Sequence, residues 1–446
     1  MISTKTQRQE GAVARVRDSL GGVAIGLLAW SVVATAVLSR LMDSTVQRVG
    51  LDGRRYLESS GTTGRVLGAV VLAAAVTVAI VAIVQATLKA IKEPAPIRRS
   101  PYALFIVALV LWWSLCMVLV REEAHDLQST FEIVAAVIIV IAAVASPPTL
   151  KTLRGLVHLM NVFAVASLAY AYFNPLQQLM CRVDKCGVFG NLFSGFLFQE
   201  NGAARVVVLL MPAAAVIKSR TYLGLTFGVA ATYVAATGSR TSLLSLAIAI
   251  LVVLVVRRRL LGKSSKVSIP WLFRIVPLAA LGVSLYLMYE ADSGAFTGRG
   301  EIYAGIRDQL QGLAFFFGSG SDTVAGLRLA YNALAFGEHG EAPHLMVRAG
   351  IIGVVLFAIA MFAVIRKKTW SAKEAAGFSF LFVAATQFAT EPAWELELRT
   401  MSFMLMVLTA GLLAKPDAFS ADVGPQPNRK EPKLMQPEWH HQTVRT

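Results

Sequence analysis

The hydrophobic positions of this chain come in long unbroken blocks. Neither a two-residue alternation nor a narrow helical stripe runs through them. The apolar segments fall at roughly 20–39, 66–88, 102–120, 131–146, 153–173, 202–217, 221–237, 241–256, 271–290, 345–365, 375–390 and 400–414. A block of about 20 apolar residues matches the thickness of a bilayer when it coils into a helix. The pattern therefore predicts an all-α fold, a polytopic transmembrane bundle of about twelve spans. Residues 1–19 form a polar segment before the bundle, 20–414 the bundle itself, and 415–446 a Pro-, Lys- and Gln-rich tail expected to be disordered. No clear small-residue cleavage site follows the first block, so it is expected to stay as a span and not to be removed as a signal peptide.

Composition narrows the class. Of 446 residues, 56% are hydrophobic and only 15% charged. Soluble domains carry about 25% charged residues, so one or two soluble globules are excluded. The net charge of +15 would point to nucleic acid in a soluble protein. In a membrane chain its distribution matters more. The clusters Lys89/Lys92/Arg98/Arg99, Arg257/Arg258/Arg259 and Arg366/Lys367/Lys368 all fall on one side of the predicted spans. Such an excess predicts a plasma-membrane protein with both termini cytoplasmic, held against anionic lipid and with no nucleic-acid partner. The loops on that side are too short to fold a nucleotide-binding domain. No P-loop, GxGxxG, GxSxG or HExxH motif occurs in the chain.

The outer side carries the candidate chemistry. One loop, 291–343, is far longer than the rest. Within it, Glu301–Phe317 places Ile302, Ile306, Leu310, Leu313 and Phe317 at helical spacing, which predicts an amphipathic helix lying on the membrane or capping the bundle. Arg240 lies in Thr237-Gly-Ser-Arg-Thr-Ser242, and Arg299 in Thr297-Gly-Arg-Gly300. Each sits at a predicted helix N-terminus, flanked by Ser239 and Thr241 or by Gly298. Open backbone N–H groups, the positive end of the helix dipole and a guanidinium together suit a phosphate, and two such corners suit a pyrophosphate. Either arginine alone reads equally as a snorkelling interface residue. Arg48, Arg54, Arg55 and Arg121 are also external and are taken as snorkelling interface residues.

His339 and His344 frame the start of the tenth span and are the candidate proton acceptors, with Glu341, Glu391, Glu395 and Glu397 as rival bases. His158 and Asn161 are expected to hydrogen-bond between helices, and Trp112, Trp113 and Cys116 to pack. Cys181 and Cys186 predict a disulfide closing an outer loop, because thiols there are not kept reduced. Its role would be a staple. Two cysteines with no histidine nearby are too few ligands for zinc.

At these residues the chain resembles the O-antigen ligase/polymerase family, polytopic glycosyltransferases that use glycans carried on polyprenyl pyrophosphate. Four stretches carry the likeness. They are Val188-Phe-Gly-Asn191 with Gln199-Glu-Asn201-Gly202, then Gly238-Ser-Arg-Thr241, then Thr297-Gly-Arg299 followed by Gly318-Ser-Gly320, and a histidine-containing loop leading into Arg348-Ala-Gly350-Ile-Ile-Gly353. The resemblance implies that Arg240 and Arg299 hold the lipid pyrophosphate. By spacing it puts the family's histidine on His339, although Gly340 stands where the family has Asn. It makes Asn191 and Asn201 further site candidates. The implied partners are a polyprenyl-pyrophosphate-linked oligosaccharide, a glycan or lipid acceptor and the bilayer, with no cofactor and no metal. The expected reaction is transfer of the glycan to a hydroxyl on the outer face, as a ligase or as a polymerase. The competing class is a transporter or flippase of lipid-linked or anionic solutes.

Overall fold

A computed structural model describes residues 20–42, 45–49, 55–59, 62–92, 100–120, 127–174, 179–181, 185–197, 200–261, 267–292, 299–320, 340–398 and 400–414. The fold is all-α, and every predicted apolar segment carries a helix. In chain order the helices are α1 (Leu20–Met42), α2 (Thr63–Lys92), α3 (Pro101–Leu115), α4 (Leu127–Ala145), α5 (Leu150–Phe173), α6 (Glu200–Leu210), α7 (Arg220–Thr237), α8 (Arg240–Leu261), α9 (Trp271–Glu290), α10 (Arg299–Gln309), α11 (Leu313–Phe317), α12 (Glu341–Arg366), α13 (Ala372–Ala385) and α14 (Met401–Ala414). Among the described residues, six helices are long and apolar enough to cross a bilayer: α1, α2, the Pro101–Val118 stretch, α5, α9 and α12. This is fewer than the twelve spans expected. Three short two-stranded ribbons connect helices, at Thr45–Val49 with Arg55–Ser59, Leu179–Met180 with Asn191–Leu192, and Val267–Ser268 with Thr369–Trp370.

Small residues let the helices approach. Gly64 and Gly68 of α2 lie against Ser39 and Thr35 of α1, where any Cβ would overlap the neighbour. Across the bundle, Asn161 of α5 donates to Tyr222 Oη and Thr226 Oγ1 of α7, both at 3.0 Å, and His158 Nδ1 lies 2.7 Å from the same Tyr222 hydroxyl. The expected inter-helix bonding of His158 and Asn161 is therefore present. Large apolar side chains such as Val255, Phe273 and Tyr286 remain exposed on the outside of the bundle, as they must where lipid is the solvent.

One face of the bundle is basic. There Arg257 donates to the carbonyls of Ile217 and Lys218 at 2.9 and 2.8 Å, and Arg274 to those of Ile365 and Lys367. These cations satisfy carbonyls left open where helices end. The opposite face holds the starts of α6 and α8 and the covering helices α10 and α11.

Two features recess polar groups beneath that opposite face. The first is a fold-back in α12. Gly350 has φ 64 and ψ −169, values open to glycine alone. A Cβ on Gly353 would lie 3.9 Å from the carbonyl oxygen of Leu345. Eight residues of straight helix span about 12 Å, so the arms 341–349 and 351–366 lie side by side. Residues 341–347 are buried all round, whereas the second arm exposes Val355, Ile359 and Phe362. The first arm starts deep: Ala342 N donates to Ser284 Oγ at 3.0 Å, six residues short of the end of α9 and so about 9 Å along it. The second feature is the connection 386–400. Its flanking helices α13 and α14 have 14 residues each, about 21 Å against a hydrocarbon core of about 30 Å. Both have their far ends at the basic face, where Ser100 N meets Ala414 O at 3.4 Å. The connection therefore lies inside the bundle.

The long outer loop differs from expectation. A single helix over Glu301–Phe317 was expected, but Gly312 with φ 59 divides it into α10 and α11. Ile302, Ile306 and Leu310 are buried as the pattern required, whereas Leu313 is 72% exposed. Arg307 fixes α10 to the end of α9 by donating to the carbonyls of Met288 and Tyr289. Segments 1–19 and 415–446 lie outside the described residues.

Candidate functional site

The recessed connection 386–398 would leave a row of backbone N–H groups unsatisfied inside the bundle, each with a free-energy penalty of about 1–3 kcal/mol. The chain meets them from two sides. From the first arm of α12, the buried carboxylate of Glu341 accepts Ala393 N at 2.9 Å and Trp394 N at 3.1 Å through Oε2. One turn on, His344 Nε2 accepts Leu396 N at 2.9 Å. Glu341 N donates in return to Phe388 O at 2.8 Å. One turn further, Arg348 faces Glu397 at 3.8 Å. The spacing 341, 344, 348 puts three polar side chains on one helical face, against the same strand of loop.

From the other side comes α6. Arg205 pairs with Glu395 at 2.7 Å and donates to the carbonyl of Pro392. Asn201 Nδ2 donates to Glu391 Oε1 at 3.2 Å, while its Oδ1 accepts Lys185 Nζ at 2.7 Å. Lys185 also pairs with Glu200 at 3.1 Å. From α8, Ser245 Oγ accepts the hydroxyl of Thr386 at 2.8 Å. Trp394 seals the floor, edge-on to Tyr102 and Phe357. Charged groups inside a membrane bundle are expensive and tend to mark a working site.

Arg240 stands at the rim. Gly238 closes α7 with φ 66, and α8 begins at Arg240, which is exposed. Ser239 is buried and donates to Ser242 Oγ at 2.9 Å, and Thr241 is half-buried. The disulfide loop packs onto this junction. Phe193 N donates to the Ala236 carbonyl at 3.3 Å, and a Cβ on Gly238 would lie 2.8 Å from Cys186 O. The expected bond between Cys181 and Cys186 is present. Asn191 lies in the same loop, half-buried and paired with Met180.

The tip of the α12 fold-back is latched from two directions. Trp112 Nε1 donates to Ala349 O at 2.8 Å, and Gly320 N to Val347 O at 3.0 Å. These are carbonyls that the break at Gly350 releases. Trp112 also stacks on Phe317 with ring centroids 5.4 Å apart. Two short motifs of the sequence, the Gly318-Ser-Gly320 turn and the Gly350/Gly353 pair, thus meet at one point.

Three sequence-based expectations change. His344 was expected as a candidate proton acceptor in the outer loop at the start of a span, but it is 1% exposed on a re-entrant arm with Nε2 engaged. Glu341 was read as an external carboxylate, but it is fully buried. Its spacing before an apolar run hid the fold-back, which only Gly350 could have signalled. Arg205, left without a role in the sequence, is a principal anchor of the recess. Its position inside an apolar segment was the available signal. Lys185 and Thr386 were missed altogether, and nothing in their local sequence marks them. His339, Gln199, Gly298, Arg121 and the side chain of Arg299 lie outside the described residues, although Arg299 does begin α10. No family model, curated protein or solved structure matches this chain.

Proposed function

We propose that this protein is a membrane glycosyltransferase that moves a glycan from a polyprenyl pyrophosphate carrier to a hydroxyl acceptor on the outer face of the plasma membrane. In this reading the helices make about twelve crossings, the basic face is cytoplasmic and both termini lie there. The observation that carries it is an exposed guanidinium at a helix start, Arg240, on the face of the bundle where ionisable groups of α6 meet the connection 386–398. Nucleotide sugars are cytoplasmic, so a donor used on that face must already have crossed, and a lipid carrier meets that need.

The step is a displacement at the anomeric carbon. The acceptor oxygen forms the new bond to carbon as the bond from carbon to the pyrophosphate oxygen breaks. The leaving electron pair goes to the pyrophosphate, which Arg240 and Arg299 stabilise. The acceptor proton goes to a base. His344 Nε2 is engaged by Leu396 N, so Glu391 and His339 are the better candidates for that role. Incubating the purified protein in lipid nanodiscs with a polyprenyl-pyrophosphate-linked oligosaccharide and candidate acceptors tests the reading. Mass analysis then separates a ligase product on a terminal acceptor from a lengthened lipid-linked chain. Release of no polyprenyl pyrophosphate with any acceptor would refute transfer.

A second reading is favoured by one specific feature. Broken helices with buried polar groups near the bilayer midplane also build substrate sites in transporters, and α12 is such a helix. Counterflow of a lipid-linked or anionic solute in proteoliposomes, with the glycan unchanged, would favour that class.

A further inference from the structure

The disulfide loop and the recessed loop are joined by two polar contacts among three side chains, Lys185, Asn201 and Glu391, and their direction is fixed by chemistry. An ammonium group can only donate, so Lys185 Nζ holds Asn201 by its carbonyl oxygen at 2.7 Å. That leaves the amide nitrogen of Asn201 facing outward, where it donates to Glu391 Oε1 at 3.2 Å. A carboxylate can only accept when ionised, so the polarity runs one way from cation through amide to anion. Without the ammonium, the Asn201 side chain is free to rotate by half a turn. Only its bond to Glu391 would then fix which way the amide faces. Lys185 itself is placed by its neighbour: Cys186 is bonded to Cys181, and its carbonyl is wedged against Gly238 at the end of α7.

We propose that Lys185 is a positioning residue that orients the Glu391 carboxylate through Asn201, and that the Cys181–Cys186 disulfide makes this orientation dependent on the redox state of the outer face. Reduction by a dithiol transfers two electrons and two protons to the disulfide. It yields two cysteine thiols and the oxidised cyclic dithiol, and it frees Lys185 from its anchor. The role of Glu391 as acceptor of the substrate proton rests on the glycosyltransferase reading, whereas the coupling between the two loops does not.

The test uses the full chain in nanodiscs, oxidised or treated with dithiothreitol, with two readouts. Hydrogen exchange over 386–398 should speed up at least tenfold on reduction and in Lys185→Met, with no further gain when the two are combined. Lys185→Arg, which keeps a donor, should stay within twofold of wild type. In the transfer assay, Lys185→Met should lower kcat about tenfold and leave KM for the lipid-linked donor unchanged. A purely structural role would instead lower melting temperature and both constants, also in Lys185→Arg, and would overturn the proposal. Exchange over 386–398 that is unchanged on reduction and in Lys185→Met would overturn it too, whatever the turnover. If no variant and no wild-type sample transfers glycan while exchange responds as stated, the functional reading fails and the coupling stands.

Discussion

His344 separates two accounts of the recess, so its replacement is the most informative perturbation. The ring is 1% exposed and accepts Leu396 N through Nε2 at 2.9 Å. His344→Ala removes the acceptor and leaves that amide buried and unpaired, at a cost of about 1–3 kcal/mol. The space vacated by the ring adds about 1 kcal/mol if the site relaxes only in part. The sum is about 3 kcal/mol, or roughly a hundredfold in the opening equilibrium of the loop. His344→Gln should behave differently, because its side-chain oxygen reaches the position of Nε2 and accepts the same N–H. Hydrogen exchange over 386–398 in nanodiscs reads both variants directly, and a thermal melt in detergent gives the global effect. The expected result is fast exchange in His344→Ala and near-native exchange in His344→Gln. Transfer activity should follow the same order, since His344→Gln retains the staple without a titratable ring. Wild-type exchange in His344→Ala would refute the staple. A His344→Gln protein that is well folded but inactive would return the histidine to the role of base.

Other expectations follow from named contacts. Gly350→Ala should lower stability by about 3 kcal/mol, from the positive φ and from a Cβ 2.6 Å from Phe317 N. Gly282→Ala, in α9 with no atom near the added methyl, should instead raise it by up to about 1 kcal/mol. Thermal melts of the two variants compare them, and equal shifts would contradict the fold-back. A double-mutant cycle of Arg205→Met and Glu395→Gln should give a coupling of about 2 kcal/mol, measured by denaturation, because the pair at 2.7 Å is only 18% and 13% exposed. Arg240→Ala should lower kcat by about 10²–10³ with melting unchanged, as expected for loss of one donor to a departing oxyanion. Unchanged turnover would remove Arg240 from the clamp.

What the sequence made legible was whatever depends on local composition. The apolar blocks predicted the helices, Gly238 and Arg240 marked the junction of α7 and α8, and Cys181 with Cys186 marked the disulfide. The number of crossings was less legible, because block hydrophobicity does not separate a full span from a helix of 14 residues such as α13. The recess was not legible at all. It depends on α12 turning back at one glycine, and an apolar run reads the same whether it is straight or folded. Charge was misread for the same reason. Glu341 and Glu395 looked like external carboxylates and Arg205 was left unassigned, yet each sits beside a backbone group or counter-ion supplied by a segment remote in sequence.

The same physics bears on which residues are free to do chemistry. A polar loop inside a bundle must have its N–H groups and charges met by the protein, since lipid offers no hydrogen bonds. Glu341, His344 and Arg205 already meet that demand with the backbone of residues 392–396. To take part in a reaction they would have to release these partners, leaving buried N–H or carbonyl groups open at the moment of catalysis. Glu391 accepts the side-chain amide of Asn201, and Arg240 is exposed at the start of α8. The division predicts two classes of variant. Changes at 341, 344 and 205 should alter loop exchange and turnover together. Changes at 240 should alter turnover while exchange stays native, so a site whose variants all fall in the first class would be a scaffold rather than an enzyme.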